Sequence, residues 1–248
     1  MSCRRRQWRG FDNKAMGGSQ TRPYILVMTL GPRIGTDESG KGDYFGPLVV
    51  AAVWIDAPMA ELLVGGGVRD SKKVSDSRAA QLARDIKGLA PHTIVVIGPE
   101  KYNELYEKMR NLNRLLAWAH ARAIENLLEK AACDTVVADK FGDEKYIQHA
   151  LMERGRNVRL IQRVRAESDI AVAAASILAR AEFLRRLADL SEKIGVKLHK
   201  GASPLVDEIG ARIVRTGSED QLRTVAKWHF KNTQKVRALL SNQTGRNP

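Results

Sequence analysis

Gly35-Thr36-Asp37-Glu38-Ser39-Gly40-Lys41-Gly42-Asp43-Tyr44-Phe45-Gly46-Pro47 runs without a break into the apolar stretch 47–55. A continuous apolar run of this length, bounded by turn residues, reads as a buried strand. The run 34–37 enters the glycine-rich turn ahead of it, so the unit is strand, turn, strand. Asp37 and Glu38 then lie at the turn or on the first strand's edge. Carboxylates are hard oxygen ligands suited to Mg²⁺ or Mn²⁺. Glycines, lacking side chains, let backbone N–H and C=O groups reach a polar ligand at contact distance. The turn can therefore hold a divalent metal and still approach a sugar-phosphate backbone, the combination a metal-dependent nuclease needs.

A near match to the phosphate loop of nucleotide triphosphatases fails on its chemistry. Gly35, Gly40 and Lys41 have the right spacing, but Gly42 stands where that loop needs a Ser or Thr for magnesium. Asp37 and Glu38 would repel a triphosphate, and Tyr44-Phe45-Gly46-Pro47 follows where a helix should begin.

The chain has 248 residues, 44% hydrophobic and 28% charged, enough to bury the core of a globular domain. Its 41 Lys and Arg against 28 Asp and Glu leave a formal charge of +13, an electrostatic footprint for a polyanion. The basic residues cluster: Arg4-Arg5-Arg6 with Arg9; Arg154, Arg156, Arg159, Arg163 and Arg165; and Lys227, Lys231, Lys235 and Arg237. A solvated helix face or tail is the alternative for each cluster alone. The two cysteines, Cys3 and Cys133, have no metal-ligand spacing, and the five histidines form no zinc motif, so zinc catalysis is unsupported. No apolar run approaches membrane-spanning length. A cytoplasmic monomer is expected, with no membrane partner.

Residues 1–22 are rich in Arg, Gly, Ser, Asn and Gln and read as a basic flexible arm. A catalytic domain is expected over 23–235 and a C-terminal tail over 236–248. Within the domain, 24–30 is a short strand or the remnant of a linker. The pattern predicts strands over 47–55, 93–97, 135–138 and 158–161, the third stopping at Asp139. It predicts helices over 75–89, 113–130, 143–154, 169–190, 206–215 and 219–227. Early strands followed by strands separated by helices describe an α/β domain with a mixed sheet.

The first block, Gly35 through Val49, resembles the opening of bacterial ribonuclease HIII. Four further stretches share the resemblance: Asp70-Ser71-Lys72-Lys73; Val137-Ala138-Asp139-Lys140-Phe141; Ala166-Glu167-Ser168 leading into Ala171-Val172-Ala173-Ala174-Ala175-Ser176-Ile177; and Lys227-Trp228-His229-Phe230-Lys231-Asn232-Thr233. Ribonuclease HII is similar in fold but usually has Arg where Lys41 stands and Asp where Glu167 stands. The resemblance implies a ribonuclease H-like fold: a central mixed five-stranded sheet flanked by helices, with a helical C-terminal part. It departs from typical HIII proteins at the start, where about thirty residues are too few for their N-terminal substrate-binding domain.

Asp37, Glu38 and Asp139 lie at or beside the ends of apolar strands, and Glu167 lies just before a buried helix. Four converging carboxylates raise one another's pKa unless cations sit among them, which two Mg²⁺ or Mn²⁺ ions would supply. Two-metal hydrolysis of a phosphodiester is then expected, and the resemblance implies that it falls on the RNA strand of an RNA–DNA hybrid and leaves 5′-phosphate and 3′-hydroxyl ends. Taken singly, Asp139 could begin a turn and Glu167 could favour a helix N-terminus by its charge. Asp43, Asp143 and Asp169 are better suited to structural roles. The resemblance implies that Gly40-Lys41-Gly42 senses ribose 2′-hydroxyls through its backbone, and that Ser71 and Lys72 contact phosphates of the DNA strand. An ordinary tight turn is the alternative for the tripeptide, and helix capping for Ser71 or Ser75. Cleavage at single ribonucleotides embedded in DNA, as in ribonuclease HII, and a non-catalytic hybrid-binding protein are the competing functions.

Overall fold

The structure is a computed structural model that describes residues 31–68, 74–143 and 145–244. The basic arm at 1–22, the segment 24–30 and the Asp70-Ser71-Lys72-Lys73 block lie outside the described residues.

Five strands form one sheet: β1 (Arg33–Ser39), β2 (Leu48–Ile55), β3 (His92–Ile97), β4 (Thr135–Asp139) and β5 (Arg159–Arg163), in spatial order β3-β2-β1-β4-β5. β1 pairs antiparallel with β2 and β2 with β3, while β1–β4 and β4–β5 are parallel. The mixed five-stranded sheet expected from the sequence is therefore present.

β2 is apolar throughout because both of its faces are covered. Val49, Ala51, Val53 and Ile55 face one core, and Leu48, Val50 and Ala52 face the other, as the two-residue period of a strand requires. The first core is closed by α1 (Ala57–Gly65), α2 (Asp76–Leu89), α6 (Ile170–Ile194), α7 (Pro204–Thr216), α8 (Glu219–Arg223) and α9 (Lys231–Thr244). The second is closed by α3 (Pro99–Met109), α4 (Leu112–Leu128) and α5 (Lys145–Ala150). The helices at 75–89, 113–130, 169–190 and 206–215 form within a few residues of expectation, three of them with side-chain N-caps at Ser75, Asn111 and Asp169.

Three differences have local causes. The helix expected over 143–154 ends at Ala150, because the amides of Met152, Arg154 and Gly155 turn to the buried Glu125 carboxylate at 2.8, 3.1 and 2.7 Å. The helix expected over 219–227 ends at Arg223, because Ala226 bridges to Phe45 and the Lys227 amide donates to Tyr44 O at 2.8 Å. The tail expected from 236 is helical to Thr244 and is held by Val236, which packs in the first core with Leu239 and Leu240 beside it.

Candidate active site

Strand alternation decides where the first two acids go. Ile34 belongs to the α4 side of β1, and Thr36 bonds to His120 of α4 at 3.0 Å, so Glu38 falls on that side too. Gly35 faces α6 so closely that a β-carbon would lie 2.1 Å from Ala171 C, and Asp37, two residues on, bonds the Ser176 hydroxyl of the same helix. Asp37 and Glu38 are thus the penultimate residues of a strand and not part of the turn. Their carboxylates leave the sheet by opposite faces.

Parallel pairing brings in the third acid. Thr36 is in register with Ala138, so Asp37 lies beside Asp139, the last residue of β4, one step further on. Val137 packs with Ala166 and Val172 on the α6 side, which puts Asp139 on the same side as Asp37. The fourth follows from the corner after β5. Arg165 adopts a left-handed conformation (φ 57°), unusual for a residue with a side chain, and turns the chain into a short 3₁₀ segment, Ala166–Ser168, that carries Glu167. The Ala166 amide donates to Asp139 Oδ1 at 3.2 Å, tying this corner to β4. Asp169 then caps α6 and is held by Arg33 at 2.9 Å and Arg163 at 3.2 Å, the structural role its position suggested.

Asp37, Glu38, Asp139 and Glu167 line one cleft of about 510 Å³, together with Ser39, Gly40, Lys41, Gly42, Asp43, Ser176 and Arg180. The polypeptide brings all four acids and the Gly40-Lys41-Gly42 turn to one place; Ser71 and Lys72 lie outside the described residues. Among the described residues, no three His, Cys, Asp or Glu side chains converge closely enough to share a metal ion. Two of the acids are engaged elsewhere: Asp139 with the Ala166 amide, and Glu38 with His120 Nε2 at 3.1 Å and Lys41 Nζ at 3.5 Å.

The electrostatics differ across the sheet. Burial, and then the neighbouring Glu38 charge, push the Asp37 carboxyl up to about 7, although bonds from Ser176 and the Glu38 amide pull it down. Burial also works against the Glu38 charge, but His120 and Lys41 outweigh it and hold this carboxyl below its usual value. The bonding of His120 follows from its neighbours. Thr36 Oγ1 donates to Ala51 O at 2.9 Å, so it accepts from His120 Nδ1–H, which turns Nε2 toward Glu38 Oε2 at 3.1 Å.

The turn is held from behind. Asp43 Oδ1 accepts the Gly201 amide at 2.7 Å, and Tyr44 donates to Gly201 O at 3.0 Å. Lys227 is fully buried and donates to the carbonyls of Asp43 (2.8 Å) and Gly46 (2.7 Å), which removes it from the basic surface cluster to which its charge assigned it. Lys235 and Arg237 of that cluster pair with Asp207 and Glu219. Ser176 and Arg180 of the cleft, and the buried His120 behind Glu38, are not singled out by the sequence reading. The helical period from Val172 through Ser176 to Arg180, and a single histidine between Ala119 and Ala121, were the signals for them.

A mixed sheet with carboxylates at the ends of its two central parallel strands, one more acid before the crossing helix and a glycine-rich turn beside them, defines a ribonuclease H-like hydrolase. A family model described as Ribonuclease HII matches residues 34–233, and the chain belongs to that family. A ribonuclease HIII of Protochlamydia amoebophila (strain UWE25) is 48% identical over 207 residues, covering 84% of this chain and 69% of that relative. A ribonuclease HIII of Chlamydia pneumoniae is 44% identical over 210 residues, with 84% and 70% coverage. The solved structure of Bst-RNase HIII in complex with Mn²⁺ superposes with a TM-score of 0.81 at 34% identity, covering 93% of this chain and 77% of that one. The chain is a type 2 ribonuclease H, an endoribonuclease class that cleaves RNA paired with DNA. Among the described residues no helix is long and apolar enough to cross a membrane.

Proposed function

We propose that the protein is of the ribonuclease HIII type and hydrolyses the RNA strand of extended RNA–DNA hybrids at this cleft, with Asp37, Glu38, Asp139 and Glu167 as ligands for Mg²⁺ or Mn²⁺. The observation that carries this is the meeting, in one cleft, of four carboxylates from three separate parts of the chain with the Gly40-Lys41-Gly42 turn. The donor set fits a hard divalent cation: oxygen ligands only, one of them held partly protonated near neutral pH by burial and by the neighbouring Glu38 charge, both of which a positive charge would offset. Two ions bound there would supply that charge, an activated water and stabilisation of the leaving 3′ oxygen. The protein's own part is to aim the four carboxylates, to keep Glu38 ionised through His120 and Lys41, and to present the turn backbone to the ribose. Lys41, Glu167 and the relatives' names favour HIII over HII. The free thiol of Cys133 suits a reducing cytoplasm, where we propose the enzyme acts as a monomer.

The test is a pair of duplexes. A long RNA–DNA hybrid should be cut to 5′-phosphate and 3′-hydroxyl ends, and a DNA duplex with one embedded ribonucleotide should be cut poorly. Equal or faster cutting of the second duplex would place the enzyme with HII; no cutting of either would leave a hybrid-binding protein.

The two glycines of the turn separate folding from recognition. Gly40 has φ 87°, and a β-carbon there would lie 2.1 Å from Pro47 O and 2.9 Å from Phe183. Gly42 has open space where its β-carbon would be. Gly40→Ala should therefore cost about 2 kcal/mol or more of stability by urea unfolding. Gly42→Ala should stay within about 0.5 kcal/mol of the parent, yet lose about tenfold or more in kcat/KM, because its methyl stands between the turn and the ribose. Full activity in Gly42→Ala would remove the turn from substrate contact.

A further inference from the structure

Arg180 is the cleft residue for which four-carboxylate hydrolysis supplies no role. It lies one helical turn beyond Ser176 on α6, so it shares the wall that carries the Asp37 partner. Arg180 Nη2 donates to Asp76 Oδ1 at 2.5 Å, in the first turn of α2.

The second oxygen of Asp76 is taken as well. Lys200 Nζ donates to Oδ2 at 2.8 Å. Lys200 is fixed relative to the cleft by its neighbour, since Gly201 exchanges hydrogen bonds with Asp43 and Tyr44 of the glycine-rich turn. A guanidinium from one side and an ammonium from the other thus grip the two oxygens of one anion at the edge of the cleft. That donor arrangement also suits the two non-bridging oxygens of a phosphodiester. As a structural tie the triad is worth little: the Asp76 and Lys200 side chains are 46% and 49% exposed, and exposed ion pairs contribute about 0–1 kcal/mol. Two positive charges beside a strongly acidic cleft are worth more to an incoming polyanion, which must otherwise approach carboxylates.

We propose that Arg180 and Lys200 form a seat for a backbone phosphate of the bound nucleic acid, beside the cleft, and that the Asp76 carboxylate fills this seat until the strand displaces it. The acid then has a consequence opposite to that of its partners. Arg180 and Lys200 strengthen binding, whereas Asp76 competes with the substrate and guards the seat against other anions. This rests on the reading of the cleft as a hybrid-cleaving site.

The experiment measures equilibrium binding of a fluorescent RNA–DNA hybrid in Mg²⁺ by anisotropy, between 50 and 200 mM NaCl, in an Asp139→Asn background so that the strand stays whole. Arg180→Ala and Lys200→Ala should each weaken binding by about five- to tenfold and make the slope of log K against log salt shallower by about one. Arg180→Gln keeps the stem packing and should behave like Arg180→Ala, which guards against a loss caused by misfolding. Asp76→Asn should bind about threefold or more tightly than its parent. Unchanged salt slopes in the Arg180 and Lys200 variants, or an Asp76→Asn protein that binds no more tightly, would overturn the seat. Cleavage of the hybrid by the unmodified protein, assayed alongside, separates the two failures. If it cuts while the slopes are unchanged, the seat alone is wrong; if it neither binds nor cuts, the reading of the cleft falls first and the seat with it.

Discussion

Asp139→Asn is expected to reduce hybrid cleavage by about 10²-fold or more while hybrid binding is retained or tightened, since losing one electrostatic element at a reacting phosphate typically costs that much. The substitution is well suited to the test because its structural cost is small. Asp139 Oδ1 accepts the Ala166 amide at 3.2 Å, and the amide oxygen of Asn accepts the same bond. The corner that aims Glu167 therefore stays in place. The change removes one negative charge from the floor of the cleft, which weakens its hold on a divalent cation and also its repulsion of the phosphate backbone. A protein that merely bound hybrids would show only the second effect. Equal cleavage by the variant and its parent, in a single-turnover assay at saturating Mn²⁺, would remove Asp139 from the chemistry.

The strands were readable because burial on both faces leaves a run of apolar residues that no turn or exposed helix imitates. Thus 47–55 and 135–138 emerged almost at their observed ends, and Asp139 was recognised as the acid that stops a strand. Helices announced by caps, such as the one after Ser75, were equally plain. Helix α3 was not, because Gly98-Pro99 directly after a β-branched strand has the signature of a turn. Proline also serves at the first helical position, where its missing N–H is not needed, and here it opens the helix. Sequence alone leaves Asp37 and Glu38 at the turn or on the first strand's edge, because the glycines after them dominate the local pattern; the strand runs to Ser39, and only its pairing with Val49 to Ile55 reveals that the two acids diverge. Lys227 was the least legible of all. Nothing local distinguishes a buried lysine that fastens carbonyls of a distant turn from the lysines beside it that face water.

Replacing Asp37 with Asn should stabilise the metal-free protein above neutral pH while abolishing its cleavage. The folded carboxyl stands at about 7 against an ordinary 3.8, with burial the larger cause and Glu38 the second. A raised carboxyl means that the folded protein holds a proton that the unfolded chain has already released between these values. Its contribution to stability is therefore fully present below about pH 4 and is lost as the pH rises through 7. Three pH units correspond to about 4 kcal/mol, and water in the open cleft reduces this to about 2 kcal/mol. Asn cannot ionise, and its oxygen can still accept from the Glu38 amide, which now lies 2.8 Å from Asp37 Oδ1. In EDTA the urea midpoints of the two proteins should coincide near pH 4 and separate by pH 8, with the variant the more stable. Saturating Mn²⁺ should reverse the order, because a ligand at about one hundred times its Kd adds about 2.7 kcal/mol to the protein that binds it, and the variant has lost a ligand. Midpoints that stay together at pH 8 in EDTA would show that Asp37 ionises without strain, and that the acids of this cleft are not held apart from their charge until a cation arrives.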